Sequence, residues 1–113
     1  MKKTKMLKKN YEFKNVLSRG KYYSGRNIEA FIKDNNKSCN FLGLAISVKT
    51  GKAVKRNRIK RLIRESYKIL EPQIKSGKSI VFLWKKKADI ENATFDNIKI
   101  DINNIFEKSN IKN

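Results

Sequence analysis

Short segments with alternating side chains predict the strands of this chain. Residues 27–33 alternate so that one face is apolar, while Phe31 lies on the more polar face. Residues 41–48 alternate between bulky and small side chains. The two segments are close enough in the sequence to pair as antiparallel neighbours, with turn residues between them. The unbroken apolar run at residues 79–84 is typical of a strand buried on both faces.

Apolar residues at helical spacing predict three helices, over residues 10–18, 52–70 and 94–108. We expect Asn10 to cap the first helix, and Thr94 or Asn92 to cap the last.

The order of helix, strands, helix, strand and helix predicts one α+β domain spanning residues 1–113, with helices packed on a sheet. We expect its ends, about residues 1–6 and 109–113, to be flexible.

Charge is the feature that most narrows the function. The chain has 28 Lys and Arg against 10 Asp and Glu, a formal net charge of +18. So much self-repulsion favours a polyanionic partner, most commonly nucleic acid. A membrane surface is the weaker alternative, because it calls for a basic amphipathic helix with little other structure. No apolar run is long enough to span a membrane, and no apolar stretch of a signal peptide follows the basic residues 1–9, so we expect a cytoplasmic protein.

The sequence contains few groups that could carry out catalysis. Histidine is absent, which removes the usual general base and zinc ligand. Cys39 is the single cysteine, so no internal disulfide or multi-cysteine metal site is possible. Asp89 and Glu91 form a weak candidate magnesium site, although a loop with two acids is more often simply solvated. We therefore expect neither a self-contained active site nor a cofactor bound by the protein alone.

The helix over residues 52–70 concentrates the positive charge. No acid interrupts the cations between Lys49 and Arg64. The apolar residues form one stripe, and Asn57, Lys60, Arg61, Arg64 and Lys68 share the opposite face. A merely solvated helix would mix charge signs to gain favourable i,i+4 pairs. This pattern therefore favours a surface that binds a polyanion, with phosphate attracted also to the helix N-terminus.

One stretch of this helix identifies a family. Residues 52–65, with the core Arg56-Asn57-Arg58, closely resemble the protein subunit of bacterial ribonuclease P. Gly20, Arg26 and residues 43–49 also agree with that family in type and order, so the resemblance covers nearly the whole chain.

The resemblance implies an α-β-β-β-α-β-α two-layer sandwich with a left-handed βαβ crossover, as in domain 2 of ribosomal protein S5. It leaves room for a short strand near residues 21–24. It also implies a subunit of the ribonuclease P holoenzyme, which removes the 5′ leader from precursor tRNA. The implied partners are the ribonuclease P RNA subunit and precursor tRNA, with no membrane and a monomeric free protein. Magnesium-dependent catalysis would belong to the RNA subunit, so the protein alone is not expected to be catalytic.

The resemblance further implies two binding surfaces. The surface for the RNA subunit would consist of Lys52, Lys55, Arg56, Asn57, Arg58, Lys60, Arg61, Arg64 and Lys68. The leader cleft, between the first helix and the sheet, would include Phe13, Leu17, Arg26, Phe31, Ser47 and Lys49. Leu17 stands where an aromatic residue is frequent, and Phe31 where a tyrosine is frequent. Phe13 and Leu17 at helical spacing are equally compatible with an ordinary core.

Two alternatives remain open. A general RNA-binding or ribosomal protein would explain the charge and would bind unrelated structured RNAs with similar affinity. A protein-only nuclease, suggested by Asp89 and Glu91, would cleave RNA in a metal-dependent way without any RNA subunit.

Overall fold

The computed structural model describes residues 2–113; Met1, part of the N-terminal segment expected to be flexible, lies outside them. Five strands form one sheet, and three α-helices pack on it. In chain order the elements are β1 (Thr4–Met6), α1 (Asn10–Arg19), β2 (Lys21–Ser24), β3 (Ile28–Asp34), β4 (Asn40–Leu44), α2 (Ala53–Leu70), β5 (Lys78–Trp84) and α3 (Phe95–Lys108). The predicted α+β class is confirmed, as are the three helices and the short strand near residues 21–24.

The central strand of the sheet is β5. The strand order is β1-β4-β5-β3-β2, so the prediction that residues 27–33 and 41–48 pair with each other is wrong. Strand β3 pairs with β5 antiparallel, and β4 pairs with it parallel. The continuous apolar run explains this arrangement, because a strand buried on both faces is best placed between two neighbours.

Helices cover both faces of the sheet. The larger core lies between one face and the helices α2 and α3, and it includes the fully buried Tyr67, Phe82 and Phe106. Helix α1 packs on the opposite face in a smaller cluster with Val81. The predicted two-layer sandwich therefore describes only the side of α2 and α3, since α1 adds a partial third layer.

Strand β4 ends earlier than the alternation predicts. Regular pairing stops at Leu44, and residues Val48–Thr50 form a 3-10 turn. Val48 is 74% exposed, so the bulky face of this segment ends at Ile46, which is buried. The chain thereby leaves the sheet and delivers Ser47 and Lys49 to an exposed loop before α2.

Residues near both ends of the chain pack against the rest of the fold. Strand β1 pairs in parallel with β4, and Thr4 is buried. Its hydroxyl donates to Glu71 and lies 2.6 Å from the hydroxyl of Tyr67. At the other end Ile111 is buried, and the backbone of Lys112 forms an isolated antiparallel β-bridge with that of Ile74.

The helix caps match the predictions in one case of two. Thr94 Oγ1 accepts a hydrogen bond from the backbone N–H of Asn97, as predicted. Helix α1 instead has Lys9 at its N-cap, and the Glu12 carboxylate accepts the N–H of Lys9 at 2.9 Å. Hydrogen bonds from the backbone N–H groups of Lys9 and Lys8 lower the pKa of Glu12. None of the helices within residues 2–113 is both long and apolar enough to cross a membrane.

Candidate nucleic-acid interface

Helix α2 is held by its apolar stripe rather than by a cap. Its N-cap residue, Lys52, makes no side-chain capping hydrogen bond, and the first turn contains no acid. The buried residues of the stripe are Ile59, Leu62, Ile63, Ser66, Tyr67 and Leu70. Burial of this stripe fixes the orientation of the helix, so the charged residues between its members must project outward.

Many of the predicted RNA-binding side chains are free to meet a ligand. Lys52, Asn57, Arg64 and Lys68 are exposed, and Lys60 is half-buried. Within residues 2–113, no carboxylate lies within ion-pair distance of any of the four cations in this group. Arg61 is exposed too, but its Nε lies 3.8 Å from Glu65 Oε1, one helical turn away.

Two arginines of the signature stretch instead bind the protein's own backbone. Arg56 Nη1 donates to the carbonyl oxygen of Gly51 at 2.6 Å, which closes the loop before the helix. Arg58 Nη1 donates to the carbonyl oxygen of Ala93 at 2.5 Å, which ties α2 to the segment before α3. A guanidinium has five N–H donors, so each of these residues still has donors for phosphate.

The loop before α2 places further polar groups beside the helix N-terminus. Ser47 Oγ accepts the N–H of Lys49 at 3.2 Å, and both residues are exposed. The free N–H groups of the first helical turn and the positive end of the helix dipole lie next to this loop. The region thus combines several kinds of donor suited to phosphate.

A second surface lies between α1 and the sheet. Phe13, Leu17 and Phe31 are all half-buried and belong to the smaller apolar cluster with Val81. A Cβ atom at Gly43 would lie only 2.6 Å from Phe13 Cε1, so glycine is what allows α1 to approach the sheet this closely. The structure brings these three predicted cleft residues together, with aromatic surface still partly accessible.

Sequence reasoning missed Tyr22 on this surface. Tyr22 lies opposite Phe31 in the β2–β3 register, and the two ring centroids are 5.3 Å apart. Its side chain is 51% exposed, and its hydroxyl donates to Glu29. That hydrogen bond raises the pKa of Tyr22. An antiparallel pairing of residues 21–24 with 28–34 would have indicated this aromatic pair.

Arg26 lies apart from the other predicted cleft residues. It occupies the turn between β2 and β3, where its backbone N–H donates to Asp101 Oδ1 at 3.0 Å. Asp101 Oδ2 accepts two more N–H groups, from Asn27 and Ile28, so one buried carboxylate holds the whole turn. Arg26 lines a 520 Å³ cavity with residues of α3, including Lys108.

The two candidate metal-binding acids each have a partner within the protein. Asp89 Oδ1 accepts the N–H of Glu91 at 2.9 Å, which caps a short 3-10 turn. Glu91 lies 3.7 Å from Lys55. Within residues 2–113, no three His, Cys, Asp or Glu side chains converge as a metal site would need.

The fold and these surfaces define a basic α+β RNA-binding protein. The family model for ribonuclease P matches residues 1–110. The chain therefore belongs to the family of ribonuclease P protein components, which are subunits of the ribonuclease P holoenzyme.

Individual relatives agree over nearly their whole lengths. The ribonuclease P protein component of Clostridium botulinum (strain Loch Maree / Type A3) is 39% identical, covering 98% of this chain and 99% of the relative. That of Bacillus cereus (strain Q1) is 38% identical, covering 99% and 96%.

Solved structures show the same fold. The RNase P protein of Staphylococcus aureus superposes with a TM-score of 0.84 at 27% identity, covering 96% of this chain and 97% of that one. The RNase P protein of Thermotoga maritima, in complex with 1-(4-fluorophenyl)-2-thiourea, gives a TM-score of 0.82 at 25% identity, covering 90% and 97%.

Proposed function

We propose that the chain binds the RNA subunit of ribonuclease P through helix α2 and thereby assists removal of the 5′ leader from precursor tRNA. The observation that carries this proposal is a set of cations at the N-cap and along α2 that form no ion pair within residues 2–113: Lys52, Lys60, Arg64 and Lys68. When these cations contact RNA phosphates, condensed counterions are released from the RNA, which favours binding at low salt.

Within this surface we assign two roles. The exposed Asn57, Lys55 and Arg61, with the four unpaired cations, would contact the RNA subunit. Arg56 and Arg58 would contribute in part by shaping the surface, because each already donates to a backbone carbonyl. An RNA phosphate could still engage their remaining guanidinium donors.

The surface between α1 and the sheet suits the single-stranded leader. Half-buried aromatic rings offer stacking faces to bases. We propose that Phe13, Leu17 and Phe31 line this cleft. Ser47 and Lys49, in the loop after β4, would contact the leader backbone.

The position of Arg26 gives it a separate role in this proposal. It would act at the end of the sheet, outside the aromatic part of the cleft, on a turn that Asp101 holds in place.

The protein and the RNA subunit would have different tasks in the holoenzyme. Asp89 caps a 3-10 turn and Glu91 lies near Lys55, so each acid has a partner within the protein. We propose that magnesium acts in the holoenzyme through the RNA subunit, and that the protein supplies binding.

The proposal also covers the handedness of one connection, the oligomeric state and the compartment. The β4–α2–β5 connection, between adjacent parallel strands, would be a left-handed crossover as in domain 2 of ribosomal protein S5. The free protein would be a monomer. It would act in the cytoplasm, where a lone thiol such as Cys39 stays reduced.

Reconstitution with the cognate RNA subunit at low magnesium tests the function. We expect the protein to increase cleavage of precursor tRNA and to bind precursor tRNA more tightly as the leader is lengthened. No gain in either quantity would overturn the proposal. Similar affinity for unrelated structured RNAs, with no dependence on leader length, would indicate a general RNA-binding protein instead.

A further inference from the structure

The cleft surface of the sheet contains one carboxylate, Glu29. It lies two residues before Phe31 on the same face of β3, opposite Leu83 in the register with β5. The other residues of the five strands on this face are neutral or cationic, as the ladder registers show. A carboxylate repels phosphate, so it is out of place in a surface that only tracks an RNA backbone.

The structure holds this carboxylate in a defined position. The hydroxyl of Tyr22 donates to Glu29 Oε2. Oε1 accepts no hydrogen bond from any group in the described part of the chain. Glu29 is half-buried, and the ring of Tyr22 packs against that of Phe31 at an interplanar angle of 57°. An aromatic pair and an acceptor with free capacity therefore lie side by side.

An ionised carboxylate can only accept hydrogen bonds, which restricts the bases that suit it. Unstacked bases of single-stranded RNA are read on their Watson–Crick edges while they stack on aromatic rings. Guanine presents two adjacent donors there, N1–H and N2–H. Adenine and cytosine place a ring acceptor beside their amino group, and uracil flanks its single N–H with two carbonyl oxygens.

We propose that Glu29 is a specificity-determining residue that selects guanine at one position of the leader, with the base stacked on Tyr22 and Phe31. This inference rests on the proposed function, because it assumes that the leader lies in this cleft. Tyr22 would have two roles, because its ring stacks on the base while its hydroxyl positions the carboxylate.

The test measures binding of precursor tRNA to the reconstituted holoenzyme. The leader is all uridine except for one guanosine or one adenosine, placed at each position in turn. We expect one leader position at which precursor tRNA with guanosine binds about tenfold more tightly than precursor tRNA with adenosine or uridine there. Glu29→Gln replaces one acceptor by a donor, which matches the acceptor and donor of adenine, so the preference should move from guanosine to adenosine.

Two further variants separate base reading from charge and from hairpin stability. Tyr22→Phe keeps the ring but loses the hydroxyl, so leader binding should persist while the preference for guanosine shrinks several-fold. Glu107→Gln, on α3, removes the same charge far from the cleft and should leave the preference unchanged. A carboxylate that merely stabilises the β2–β3 hairpin would show no change of base preference in any variant.

Two results would overturn the inference. One is a wild-type holoenzyme that binds all leaders within twofold of one another. The other is a guanosine preference that survives Glu29→Gln. If the protein still strengthens binding of leader-bearing over mature tRNA in those experiments, the proposed function stands and only base selection is refuted. If leader length has no effect at all, both fail.

Discussion

Arg58 donates a hydrogen bond from Nη1 to the carbonyl oxygen of Ala93, 2.5 Å away and 35 residues later in the chain. The contact joins the most basic helix to the segment that starts α3. Because this guanidinium is engaged within the protein, we expect its removal to affect folding, unlike removal of the unpaired Arg64.

Arg58→Ala should lower the free energy of unfolding by about 1.5–3 kcal/mol, the usual range for a hydrogen bond that involves a charged group. Arg64→Ala should change it by less than about 0.5 kcal/mol. Urea denaturation followed by circular dichroism measures both quantities. Equal stabilities of the two variants would show that the Arg58 contact contributes nothing to the fold.

Arg64→Ala should instead weaken binding to the RNA subunit. Each lost phosphate contact should reduce the slope of log K against log salt concentration by about one unit. Filter-binding titrations between low and moderate salt provide the slope, and Arg61→Ala should behave similarly. Lys99→Ala, on α3, serves as the charge-matched control and should retain the wild-type slope. A slope that Arg64→Ala leaves intact would argue against direct phosphate contact.

Phe31→Ala should weaken binding of precursor tRNA more than binding of mature tRNA, by roughly 1–3 kcal/mol if one base stacks on the ring. The comparison uses dissociation constants of the holoenzyme for both RNAs. Phe31→Leu preserves the apolar packing against Val81 but removes the aromatic face, so it should show most of the same loss. Equal effects on the two RNAs would assign Phe31 to the core alone.

Tyr67 should make the protein sensitive to alkaline pH. Burial raises the pKa of its phenol from 10.0 to about 12. The folded protein therefore holds this proton more tightly than the unfolded chain, so the stabilisation is complete below pH 10 and is lost as the pH rises towards 12. The two pKa units correspond to roughly 2–3 kcal/mol.

The measurement is urea unfolding at several pH values, with Tyr67→Phe as the reference because lysine titration affects both proteins alike. The free energy of unfolding of the wild type, measured relative to this variant, should fall between pH 10 and 12. Absorbance of the phenolate should show a tyrosine that titrates late in the folded wild type. A constant stability difference across that range would contradict the assignment.

The sequence alone predicts the elements well but their neighbours less well. Periodicity locates each helix, because buried side chains recur once per turn along α2 and α3. It cannot tell which strands pair, since alternation records burial and not partners. Proximity in sequence favours pairing of residues 27–33 with 41–48, whereas β5 comes between these strands in the sheet.

The sequence also predicts only part of the candidate site. Charge pattern identifies α2 as the basic surface. It cannot distinguish Arg58, which binds a backbone carbonyl, from Arg64, which forms no ion pair within residues 2–113. Tyr22 was missed because its place beside Phe31 depends on the β2–β3 register.

The central place of β5 has a consequence for how the molecule assembles. Strands β3 and β4 flank β5 on either side, yet the ribosome makes both of them before it reaches Lys78. The sheet therefore cannot be completed until about three quarters of the chain has been synthesised. Until then the strongly cationic α2 is exposed without its core partners, in a cell rich in RNA. Such reliance on distant contacts slows folding, and the nascent chain is left to meet polyanions before it has a finished fold.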